Sequence, residues 1–113
     1  MKIGGCHETH KVYVDGYELS PKDSLKVRNH SPDGFSWGYC GSGPSQLSLA
    51  ILLVAGIPKE IAELKYQDFK RDVVASLPED FRLDIDISQT GEWSVKKVED
   101  LSPNRLAAPV EDF

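Results

Sequence analysis

The chain has 113 residues, 40% of them hydrophobic, which suits one domain with a single core and excludes two. A net charge of −5, with both signs mixed along the chain, removes the basic face that general nucleic-acid binding requires. The longest apolar run, residues 47–57, is too short to span a bilayer, and residues 1–5 carry no apolar stretch of the kind a secretory signal needs.

The expected setting is therefore the cytoplasm, away from any membrane, with Cys6 and Cys40 as reduced thiols, although a disulfide between them stays open. In chain order, residues 11–14 (KVYV) read as a strand and Asp15-Gly16 as a hairpin turn, with residues 17–19 returning as far as Ser20-Pro21. A second hairpin is expected from residues 25–29 and 35–39 about Ser31-Pro32-Asp33-Gly34. Proline presets the second turn position there, and glycine can take the positive φ that closes it. In its second arm Phe35, Trp37 and Tyr39 alternate with Ser36 and Gly38, so period two puts the three rings on one face, packed on the helix that follows.

Residues 41–46 (GSGPSQ) lead into a helix that runs to about Ala55 and stops at Gly56. Pro44 suits its first position, and Gln46 is placed to reach back and cap the start. Between Leu47 and Ala55 only Ser48 is polar, and a helix apolar all round is buried, so it forms the centre of the fold. Pro58 opens a second helical stretch in which Ala62, Tyr66, Phe69, Val73 and Leu77 make one stripe, ended by Pro78. Leu83, Ile85 and Ile87 alternate with Asp84, Asp86 and Ser88 as in a half-buried strand, and Thr90-Gly91 turns the chain. Residues 93–101 fit either a strand or a short helix, and residues 102–113 read as an extended tail. The fold class is α+β: short antiparallel β-hairpins packed on a central apolar helix, plus a second amphipathic helix, as one domain with its core over about residues 10–101. Leu49, Ile51, Leu52, Leu53, Phe69 and Val73 are the expected core.

Four constellations are weighed for chemistry. A helix start presents unpaired N–H groups and a partial positive charge, so Gly41, Ser42, Gly43 and Ser45 suit an anion such as phosphate, with the glycines letting it approach the backbone. The loop lacks the Lys-Ser/Thr pair of a Walker motif and the spacing of a dinucleotide fingerprint. Its bland reading is a tight turn beneath a crowded core. The corner of Arg28, Asn29, His30 and Ser31 sets polar groups beside a turn and either lines the same site or serves local turn hydrogen bonding. Cys40 with His30 and Asp33 has the residue types of a thiol hydrolase or transferase, but at a spacing that matches no catalytic signature. Cys6, His7 and His10 form only one of the two ligand clusters that a zinc site usually shows, so no metal and no cofactor is assigned.

The stretch NHSPDGFSWGYCGSGPSQLSLAILL, residues 29–53, together with YQDFKRDVVASLP, residues 66–78, resembles a family of short proteins of unknown function from bacteria, archaea and phages. The shared pattern is an NHSPDGF-type turn, a WGYxGSGP-type loop and a YQDFK-type helix, over roughly half the chain. The resemblance carries no activity to transfer. It implies a glycine where this chain has Cys40, which counts against an essential thiol. The expected function is a non-enzymatic small binding protein, phage- or mobile-element-associated, that holds an anionic small molecule or nucleotide at the glycine-rich segment. The alternative is a protein–protein interaction module without a ligand site, with a host protein or a second copy of the chain as its partner.

Overall fold

The computed structural model describes residues 1–102. Nine elements follow in order: strands β1 (Lys2–Cys6), β2 (Lys11–Val14) and β3 (Tyr17–Glu18), helices α1 (Lys22–Val27), α2 (Ser42–Val54) and α3 (Lys59–Asp72), a 3-10 turn at Val74–Ser76, and strands β4 (Phe81–Ile87) and β5 (Trp93–Asp100). The strands form one antiparallel sheet in the order β3-β2-β1-β4-β5, so the fold is α+β. Period two divides its faces. Ile3, Val12, Val14, Phe81, Leu83 and Ile85 are buried in a common core with α2 and α3, whereas Lys2, Lys11, Tyr13 and Asp86 on the other face are exposed.

The two central helices form where the sequence places them. From Gly43 to Leu52 every residue of α2 is buried, and Gly56, at φ +89, ends the helix. The stripe of Ala62, Tyr66, Phe69, Val73 and Leu77 is buried throughout, although α3 ends at Asp72 and the last two residues flank the 3-10 turn. Leu53 corrects the expected core, because it is only partly buried at the edge of the cluster.

The middle strand, β1, has a weak sequence signal, since KIGGC offers one large apolar residue and two glycines. It is a strand because β2 and β4 pair with it on both sides. Gly5 has a packing reason: a Cβ there would collide with the Phe81 ring and sit 3.0 Å from that of Trp37.

The second hairpin does not form. Residues 22–27 are helix α1, which starts after Pro21 with the Ser24 hydroxyl donating to Pro21 O at 2.9 Å, and residues 28–41 contain no strand. Phe35 and Trp37 still turn into the core, at 5% and 7% exposure, and Trp37 Nε1 donates to Pro78 O and Glu79 O, each at 3.0 Å. Tyr39 leaves that face and is 52% exposed, because Gly38 at φ +85 breaks the alternation. Pro44 sits third in α2 and not first, since the helix begins at Ser42.

Of residues 93–101, all but Leu101 form strand β5, which is anchored by Trp93 against Phe69, edge to face with ring centroids 5.1 Å apart. Lys96 is an extra residue in that ladder, because Asp84 pairs with Lys97 and Ile85 with Val95. Among the described residues no helix is long and apolar enough to cross a membrane. From Pro103 on, the expected extended tail lies outside the described residues.

Candidate functional site

The structure brings the polar corner and the start of α2 together through one fully buried side chain, Gln46. Its amide oxygen accepts the backbone N–H of His30 at 2.8 Å and of Ser31 at 3.1 Å. Its amide nitrogen donates to Ser24 Oγ at 2.8 Å and to Arg28 O at 3.0 Å. Gln46 therefore does not cap its own helix. It clamps the C-terminal end of α1 and the following corner onto α2, and all its bonds go to groups from residues 24–31.

The remaining candidate residues divide between this clamp and α3. The His30 ring meets the Tyr66 hydroxyl at 2.7 Å, the Arg28 guanidinium lies 3.4 Å from Glu63, and the Ser45 hydroxyl donates to Gln67 Oε1 at 3.5 Å. Asn29 and Ser42 are exposed. The loop glycines are places of close approach. A Cβ on Gly43 would collide with Ser36 Oγ, and one on Gly41 would come within 2.6 Å of the Tyr39 ring. Ser36 and Tyr39 are themselves joined by their hydroxyls at 2.7 Å, beside these two glycines.

The thiol constellation is not gathered in this way. Cys40 is exposed and unbridged, and the bonds of His30 run to Gln46 and Tyr66. Cys6, His7 and His10 also separate. The buried Asp80 carboxylate accepts the His7 backbone N–H at 2.9 Å and lies 3.3 Å from its ring, while the His10 ring meets Phe35 O at 2.9 Å. Among the described residues no three His, Cys, Asp or Glu groups are arranged to hold a metal ion.

Two features escape the sequence reading. One is a polar cleft of about 380 Å³ between α3 and the β4–β5 turn, lined by Lys65, Asp68, Asp72, Glu92 and Trp93, with Lys65 paired to Glu92 at 3.6 Å. The other is the outer side of β5, which no described strand pairs. Val95 and Val98 stand there 43% and 48% exposed, although they share the sheet face of the core residues Ile85 and Leu83. The period-two signal of β5 is interrupted at Lys96, which is why its residues also fit a helix.

An α+β domain with a clamped corner and an open sheet edge is the class that fold and site define. Residues 4–96 match DUF6166, a family of unknown function, and the chain belongs to that family. Comparison with curated proteins gives no match, nor does comparison with solved structures.

Proposed function

We propose that the chain is a non-enzymatic interaction module that engages a partner polypeptide along the edge of β5. The observation that carries this reading is the contrast between the two edges of the sheet: β3 has two residues, while β5 has eight, bonded to β4 on its inner side and with no described strand on its outer side. An outer edge with no described strand beside it offers outward N–H and C=O groups to an added strand, and the half-exposed Val95 and Val98 on the core side add apolar area to the contact. A phage or mobile-element setting suits such a module, with a host protein among the partners it would engage. The test is affinity capture from cells by the wild type and by Val98→Pro in parallel, because proline on an edge removes one outward N–H while leaving the sheet intact. Chains held by the wild type and lost from the variant support the reading; equal capture by both overturns it.

A second reading, anion or nucleotide binding at the start of α2, is favoured by one observation. The N-cap residue Gly41 makes no side-chain cap, and Ser42 stands exposed at the first helical position. Phosphate, mononucleotides and cyclic nucleotides at a hundredfold excess over their dissociation constant would add about 2.7 kcal/mol of stability. Ser42→Asp places a carboxylate where the anion would sit without disturbing the Gly43–Ser36 packing, and should remove that thermal shift. No shift with any of these anions in the wild type would end this reading.

A further inference from the structure

The backbone of β5 has a definite sidedness. Leu101 N–H donates to Asp80 O at 2.9 Å, so at that position the strand bonds inward, to β4. Antiparallel ladders alternate, which makes Arg82 with Glu99, and Asp84 with Lys97, the inward-bonded pairs and turns the N–H and C=O of Val98 outward. Val98 is thus an outward-bonding residue at the open edge, with its side chain on the core face opposite Leu83.

Resting on the interaction-edge reading above, we infer that the strand added to β5 is β5 of a second copy of this chain, antiparallel about a twofold axis through Val98. Pairing that keeps core face beside core face allows three centres within residues 97–99. A twofold at Lys97 sets two lysines opposite one another, and a twofold at Glu99 sets two glutamates opposite one another; like charges in directly opposed positions destabilise a ladder. A twofold at Val98 sets valine against valine, joined by two reciprocal N–H···O=C bonds, and places Lys97 of each copy against Glu99 of the other. On the solvent face, Lys2 pairs Asp84, Asp84 pairs Lys97, and Arg82 pairs Glu99. The Val98 register therefore continues a row of Lys2, Asp84 and Lys97 into Glu99 and Arg82 of the second copy, with the sign alternating at every step. Within one chain Lys97 already lies 3.3 Å from Glu99, so the dimer joins two such pairs into a ring of four alternating charges.

The bulge limits this contact. Lys96 is out of register, with its ammonium 3.1 Å from Asp86, whose hydrogen bond and charge raise the lysine pKa. Pairing therefore runs out at Lys96, and the ladder is short. The opposite edge, β3, is two residues long and offers no ladder of similar length, so association closes at two copies.

The test is sedimentation over a wide concentration range. The wild type is expected to show a reversible monomer–dimer equilibrium. Lys97→Glu and Glu99→Lys each turn two unlike contacts into like ones and should weaken the dimer about tenfold or more. An equimolar mixture of those two variants restores unlike charges at both contacts and should recover a heterodimer. Val98→Pro should be monomeric while still melting cooperatively, which separates loss of association from loss of fold. A wild type that stays monomeric throughout overturns the self-pairing, as does a dimer indifferent to all three substitutions. If Val98→Pro still loses captured chains while the wild type is monomeric, the interaction edge stands and only the second copy is wrong.

Discussion

At the residue scale, Gln46 is the most consequential polar group. It is fully buried, and each of its two amide atoms serves two partners. Gln46→Leu would leave the His30 and Ser31 N–H groups and Arg28 O without these partners, and a buried group left unsatisfied costs about 1–3 kcal/mol. Partial solvent access at the corner reduces that sum, so a loss of about 3 kcal/mol is expected in urea unfolding. Gly43 makes a sharper test of the glycine-rich loop. On helix propensity alone Gly43→Ala would stabilise by about 1 kcal/mol. The Ser36 collision opposes this with an overpacking cost of about 1–3 kcal/mol. A net loss is expected, relieved in the double variant with Ser36→Gly; a gain in the single variant would show that the loop is open. Cys40 is exposed, so Cys40→Gly should change stability by less than about 1 kcal/mol and leave binding of any partner intact.

At the scale of elements, α2 carries the fold. Leu47, Leu49, Ile51 and Leu52 are fully buried in it, beneath α3 and the sheet. Leu52→Asp puts an unpaired charge in this interior at a cost of several kcal/mol, comparable to the whole stability of a small domain. The variant should lack a cooperative thermal transition in circular dichroism. α1 and β1 show the reverse dependence, since neither is held by its own residues. Six residues are too few for an isolated helix, and α1 persists because the Gln46 amide donates to Ser24 Oγ within it and to Arg28 O at its end. β1 persists because it is bonded on both edges, with glycine at position 5 making room for Phe81 and Trp37.

At the scale of the whole molecule, the helices pack on one face of the sheet, and among the described residues its two edges are unequal. Self-association through β5 would couple stability to concentration, because a ligand that binds only the folded state stabilises it by mass action, and here the ligand is another copy. The melting temperature of the wild type should rise as protein concentration passes the dimer dissociation constant, while that of Val98→Pro stays level. Calorimetry over a hundredfold range of concentration checks this, and parallel behaviour of the two proteins would contradict it.

The elements readable from sequence alone are those whose pattern is self-sufficient. The apolar run of α2, the stripe through Ala62, Tyr66 and Phe69, the KVYV strand with its Asp-Gly turn, and the alternation of Leu83 and Ile85 each announce both their type and their buried side. The α+β class follows from those signals, and the family is shown by the match over residues 4–96. Tertiary structure alone decided the rest, for four physical reasons. Long-range pairing makes a central strand of the glycine-bearing β1, and a single positive φ at Gly38 detaches Tyr39 from the row of rings that period two would build. The role of Gln46 depends on donors and acceptors supplied from residues 24–31, which no local window contains. An open edge belongs to the order of strands and not to any one of them, so the outer side of β5 is an edge only once β1 and β4 have taken their places in the sheet.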